Sequence, residues 1–178
     1  KNNRSSLYLG KGTKLTINAD DKNFATTLKF TGNGSAENQY LFDKSNTVNK
    51  LMGSAQTFYA LEETAFLEKL KEVKTAMTYL LNTSKVTNAD FKKNELRSID
   101  FFEQLQLLNY PAYHKHYAKK EVYSPSESFP KFNEKTNLDN EDDFLFSSSY
   151  KQLVATKFNN DLYAKMGENE EYTYKLAL

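Results

Sequence analysis

Apolar and polar positions alternate at the start of the chain. Leu7 and Leu9 flank Tyr8, Leu15 and Ile17 alternate with Lys14, Thr16 and Asn18, and Phe24, Thr26, Leu28 and Phe30 continue at the same spacing. A period of two belongs to strands with one buried face. Gly10-Lys11-Gly12 and Asp20-Asp21-Lys22-Asn23 supply the turns, because glycine reaches positive φ and Asp and Asn bond locally to the backbone. The pattern therefore predicts a short antiparallel meander of three strands. A sheet this small is marginal alone. Its apolar face needs cover from the helices that follow or from strands ahead of Lys1. The second source is the one expected, which makes residues 1–31 the end of a small β domain.

After Gly32-Asn33-Gly34 the period changes. Ser35 is a candidate N-cap for a helix from Ala36 that places Leu41, Val48 and Leu51 on one face and stops at Gly53. The clearest helix covers about 61–82. Phe66, Leu70, Val73, Met77 and Leu80 recur at 4-3-4-3 spacing, and Glu62 and Glu63 lie in the first turn, where the helix dipole favours negative charge. Thr87 and Asp90 resemble a capping box. The helix they open carries Phe91, Leu96, Ile99, Phe101, Phe102, Leu105, Leu107, Leu108 and Tyr110 over most of its circumference. Such a helix is usually central in its bundle. One polar stripe interrupts it: Lys93, Arg97, Asp100 and Gln104. Pro111 should end or kink this helix.

Residues 119–142 are polar, carry Pro125 and Pro130, and read as a long loop. The acidic run Asp139-Asn140-Glu141-Asp142-Asp143 suits the start of the next helix, which presents Tyr150, Val154, Phe158 and Leu162 and stops at Gly167. A further helix begins within 170–178. The fold class expected is mainly α: a bundle-like helical domain over 32–178, preceded by the β meander of 1–31.

Composition narrows the functions. With 178 residues the chain can bury a sizeable core. Its 24 basic and 23 acidic side chains leave a net charge of +1, so no broad field favours nucleic acid or an anionic membrane. No apolar run approaches the ~18 residues that cross a bilayer, and no signal-peptide pattern is present. The first residue is Lys1 rather than Met, which suggests that a leader or more has been removed. Cysteine is absent, and with it disulfides, thiolate metal sites and thiol nucleophiles.

The remaining candidate chemistry is sparse. His114 and His116 are the only histidines, and on a helix two residues so spaced point about 200° apart, so packing or surface roles are expected over a metal site. Gly32-x-Gly34 lies between a strand and a helix, the setting of a dinucleotide-binding turn. Glu37 stands where that fingerprint needs its third glycine and would face pyrophosphate. Asp139 to Asp143 lacks both the central Gly and the twelfth-position Glu of a calcium loop. Ser147-Ser148-Ser149 has no nucleophile elbow around it. No cofactor and no metal is expected. The stripe of Lys93, Arg97, Asp100 and Gln104 is the one candidate interaction surface, set against a solvated or salt-bridged helix face.

Two stretches carry a family resemblance. The first runs through Leu7-Tyr8-Leu9-Gly10-Lys11-Gly12 and Leu15-Thr16-Ile17-Asn18-Ala19-Asp20 to Leu28-Lys29-Phe30-Thr31-Gly32-Asn33-Gly34-Ser35-Ala36-Glu37-Asn38-Gln39-Tyr40-Leu41. The second runs from Thr64-Ala65-Phe66-Leu67 through the Phe91/Glu95 helix to Tyr110-Pro111. Their order resembles the region ahead of the thioredoxin-like domain in envelope thiol-disulfide oxidoreductases of the TlpA/ResA type from Bacteroidetes. The family's chemistry lies in a Cys-x-x-Cys motif, so no catalytic residue carries over. The resemblance implies a non-catalytic N-terminal region of a periplasmic, lipid-anchored protein. Its partners would be its own C-terminal thioredoxin-like domain and the protein substrates of that domain. Two other readings stay open: a free-standing binding or structural module of the envelope, and a carboxylate-based hydrolase, whose geometry sequence cannot give.

Overall fold

A computed structural model describes residues 5–168. Among the described residues, seven helices accompany one two-stranded antiparallel sheet, so the chain is mainly α, as its patterning predicts. Compact packing divides it into two units, Lys1–Phe58 with Thr64–Lys93, and Tyr59–Glu63 with Asn94–Leu178.

In the first unit, β1 (Lys14–Asn18) pairs with β2 (Lys29–Asn33), with Thr16 opposite Thr31 and Ile17 opposite Phe30. The three-strand expectation is corrected twice. Residues 7–9 form no strand, and Phe24–Thr27 curls into a helical turn, α1. Local bonds explain the curl. Asp20 caps a 3-10 turn over Asp21–Asn23 by accepting the Lys22 N–H, and the Thr27 hydroxyl donates to Asn23 O while accepting from Asp20 N. Leu28 and Phe30 pack on Phe42 of the following helix, so a helix covers the sheet's apolar side.

That helix, α2 (Ser35–Met52), has Gly34 rather than Ser35 at its N-cap, in the left-handed region with φ 92°. It buries Asn38, Tyr40 and Phe42, while Leu41, Val48 and Leu51 stay half-buried. Gly53 stops it at φ 68°, a conformation cheap for glycine alone. The short α3 (Ala55–Tyr59) follows, with Ser54 accepting the Thr57 N–H. In α4 (Glu63–Thr83) the buried stripe is Phe66, Leu70, Val73, Met77 and Leu81. Leu81 replaces the expected Leu80 because 3.6 residues per turn drifts off a strict 4-3 repeat. Phe66 meets Phe58 at 5.0 Å between ring centroids.

The helix α5 (Ala89–Tyr117) begins one residue later than expected. Asn88, not Thr87, accepts the Phe91 N–H. Phe91 is fully buried, edge-on to Tyr8 and Tyr40. Pro111 lies inside α5 and does not end it. Residues on both sides of the proline are tied to the 59–63 segment: the Tyr110 hydroxyl donates to Leu61 O at 2.7 Å, and His114 Nδ1 bonds Tyr59 O at 2.8 Å. These anchors offset the amide bond that proline lacks.

Residues 121–140 are irregular apart from isolated turns, as the loop expectation holds. The single helix expected after them is two. α6 (Glu141–Phe146) starts at Asn140, whose side chain accepts from Asp143 N, and α7 (Ser148–Glu168) starts at Ser147, whose hydroxyl accepts from Tyr150 N. Tyr150, Leu153, Phe101 and Leu105 form one buried cluster in the second unit. Val154 packs against them, whereas Phe158 is half-exposed. Gly167 lies within α7 rather than ending it. The helix expected within 170–178 lies outside the described residues.

Candidate functional site

Three of the four stripe residues converge on one place. Arg97, Asp100 and Gln104, spaced three and four apart on α5, line a cleft of about 260 Å³ in the second unit. Phe101 is its apolar lining residue, and Thr136, Asn137 and Asp143 line it from the loop and from α6. Lys93 is exposed and is not among the lining residues. The opposing residues lie 32 to 46 positions away in sequence, so no local pattern could have found them.

The cleft is organised by asymmetric bonds. Arg97 donates from a terminal nitrogen to Asp143 Oδ2; the arginine side chain is 41% exposed and the aspartate side chain 5%. Burial pushes the Asp143 carboxyl above its ordinary range, while the Arg97 charge and hydrogen bond pull it down. Gln104 Oε1 accepts the Thr136 hydroxyl at 2.7 Å. Asn137 Oδ1 accepts Asp139 N at 2.9 Å, and Asn137 O accepts the Tyr150 hydroxyl at 3.1 Å. The loop is held in place by side-chain oxygens, and those same bonds fix the cleft wall.

A second polar group surrounds the 59–63 segment. Glu63 accepts from the Tyr123 hydroxyl at 2.7 Å, from Ser126 N at 2.8 Å and from the Ser126 hydroxyl. Those bonds hold its carboxyl below the usual range, those from Ser126 and Tyr123 contributing most. Glu62 takes both its bonds from Lys120 at 2.9 Å, and its carboxyl is likewise lowered. His114 is fully buried between Tyr110, stacked at 4.8 Å, and Tyr123 at 4.5 Å. Among the described residues its Nε2 has no hydrogen-bond partner, and it lies 3.8 Å from Glu62 Oε2. Burial raises both tyrosines, Tyr110 to about 12. The bonds here join residues 120–126 to 59–63, which is an anchor for the loop.

The other sequence candidates separate. His114 is buried and His116 exposed, and among the described residues no group of three or more His, Asp or Glu side chains could hold a metal ion. Gly32 and Gly34 serve the backbone: at φ 95° and 92°, a Cβ on Gly32 would collide with Lys14 O, and one on Gly34 would lie 3.1 Å from Thr13 Cγ2. Ser147 bonds the Ser98 hydroxyl at 2.8 Å and caps α7. Among the described residues no helix is long and apolar enough to cross a membrane. Comparison with protein-family models, curated proteins and solved structures finds no match for the chain.

Proposed function

We propose that the chain is a docking module of an envelope thiol-disulfide oxidoreductase of the TlpA type. It positions a thioredoxin-like domain that follows it or contacts that domain's protein substrates, on the periplasmic side of a lipid-anchored protein. The carrying observation is the cleft: Arg97, Asp100 and Gln104 meet Thr136, Asn137 and Asp143 beside Phe101, which gathers hydrogen-bonding side chains from a helix and a loop in one concave place. Thiol-disulfide exchange needs a thiolate, and the cysteine-free sequence supplies none, so redox chemistry in this reading belongs to another part of the protein. The motif Gly32-x-Gly34-x-x-x-Asn38-x-Tyr40-Leu41, on which the resemblance rests, supports the reading by acting as one physical unit. Its glycines permit the turn, Asn38 bonds Tyr8 and Gly34, and Tyr40 packs on Phe91.

The coding sequence beyond Leu178 tests this directly. It is expected to encode a thioredoxin fold with Cys-x-x-Cys, and a stop codon there would overturn the assignment and leave a free-standing binding module. In the longer protein, Asn137→Asp should slow reduction of a protein disulfide and leave reduction of a small aromatic disulfide unchanged.

A further inference from the structure

The buried ring of His114 has one fixed proton and one unused lone pair. Its Nδ1 lies 2.8 Å from Tyr59 O. A carbonyl oxygen can only accept, so Nδ1 carries a hydrogen whether the ring is neutral or charged. In the neutral ring Nε2 is then a bare acceptor. Among the described residues it has no hydrogen-bond partner, and it lies 3.8 Å from Glu62 Oε2. Two acceptors therefore face each other. A proton on Nε2 turns this mismatch into a charge-assisted bond once the Glu62 side chain, 71% exposed, moves inward by about 1 Å to the usual length.

The charges around the ring favour that proton. Among the described residues, the 59–63 segment brings Glu62 and Glu63, and the chain after α5 brings Lys120 and Tyr123. Tyr110 stacks on the ring from within α5. Both carboxyls are held below the usual range, Glu62 first by the bond from Lys120 and Glu63 first by the Ser126 hydroxyl, so both are ionised at neutral pH. Burial raises both tyrosines, which stay neutral there. Two carboxylates thus share one ammonium, and the group is one positive charge short. Burial opposes a ring cation, and this surplus of negative charge supports it. Histidine is the side chain that ordinarily changes charge between about pH 5 and 8. We propose that His114 is a proton-operated latch: on acidification within that range it takes a proton at Nε2, bonds Glu62, and clamps residues 120–126 onto residues 59–63. The clamped segment begins the loop that carries Thr136 and Asn137 to the cleft. The latch stands on this geometry alone and does not depend on the docking reading.

The test uses the full chain carrying His116→Gln, so that every imidazole signal belongs to His114. In 15N NMR spectra of the ring, Nδ1 should be protonated at both pH 8 and pH 5.5, and Nε2 only at the lower value. The Ser126 amide donates to Glu63. Its protection from exchange, corrected for the intrinsic rate at each pH, should rise about three- to tenfold on acidification, the low end of a bond to a charged group because Glu62 is exposed. Glu62→Gln keeps the side chain's size, removes its charge, and should abolish the rise. Lys120→Met removes the competing cation and should enlarge it. Both variants break the Glu62–Lys120 pair, so a purely structural role for that pair would make them behave alike. An Nε2 that stays unprotonated at pH 5.5, protection that fails to rise, or the same response in both variants overturns the proposal.

Discussion

The Asn38 side chain closes two hydrogen bonds on the backbone of a single residue, accepting the Tyr8 N–H at 2.8 Å and donating to Tyr8 O at 2.9 Å. The same Nδ2 also donates to Gly34 O at 2.7 Å. Asn38 is fully buried, so it replaces for residue 8 the strand neighbour that this segment lacks. Asn38→Ala should therefore destabilise the fold by about 1–3 kcal/mol, since it removes the partner of a part-buried N–H and of a part-buried carbonyl on Tyr8. Asn38→Asp should cost at least as much, because a carboxylate can accept from Tyr8 N but faces two carbonyl oxygens. Urea unfolding of both variants checks the ranking, and an alanine variant within 0.5 kcal/mol of the parent would count against the clasp.

Two glycines with similar φ should respond differently to alanine. Gly32 has φ 95° and its Cβ would strike Lys14 O across the hairpin, whereas Gly12 has φ 80° with open space around it. Gly12→Ala meets only the left-handed backbone penalty, about 1–2 kcal/mol. Gly32→Ala adds a clash with backbone that cannot turn aside and should cost more than about 3 kcal/mol. Equal melting temperatures for the two variants would contradict this account of the hairpin.

The sequence carried the helical part of the fold well where a long amphipathic stripe repeated itself. Phe66, Leu70, Val73 and Met77 were legible because each is one turn from the next. Breaks set by one side chain were not. Ser147 separates α6 from α7 by bonding Tyr150 N and the Ser98 hydroxyl, and within Ser147-Ser148-Ser149 nothing local marks which serine is the cap. Thr27 similarly converts the start of an alternating segment into a turn of helix through bonds to residues four and seven positions back. Pro111 misled for the opposite reason, since distant bonds from Tyr110 and His114 hold the helix through it. The site divides the same way. The stripe gave Arg97, Asp100 and Gln104, but Thr136, Asn137 and Asp143 reach the cleft only through tertiary structure.

Glu63 gives the loop anchor an acid-sensitive component. Its carboxyl is lowered in the folded chain by bonds from Ser126 and Tyr123. A group whose folded value is depressed stabilises above its unfolded pKa, about 4.3 for Glu, and that stabilisation is lost as pH falls through the folded value. Glu63→Gln should thus lie about 1 kcal/mol below the parent at pH 7, a modest figure because the site is half-exposed. The gap should close as pH drops below about 4. Amide exchange at Ser126 should quicken in the variant at neutral pH, since that N–H donates to Glu63.

The Arg97–Asp143 pair should show the opposite pH dependence. Asp143 is almost fully buried and its carboxyl is raised, by burial first, with Arg97 acting against that rise. A group whose folded pKa lies above its unfolded value, about 3.9 for Asp, favours folding below the unfolded value, and this contribution is lost as pH climbs through the folded one. Removing Arg97 takes away the opposing charge, so the carboxyl rises further and the loss with pH deepens. Arg97→Ala should cost about 1–3 kcal/mol at pH 7, between the values for a solvated pair and a fully buried one. It should approach the parent near pH 3, where Asp143 is largely protonated in both. Adding Asp143→Asn to Arg97→Ala removes the buried charge and should recover much of the stability at pH 7. Denaturant unfolding of the parent, both single variants and the double variant at pH 3 and 7 measures the coupling. A cost for Arg97→Ala that is the same at both pH values would mean that the arginine acts by packing its stem over Phe101 rather than by supporting the Asp143 charge.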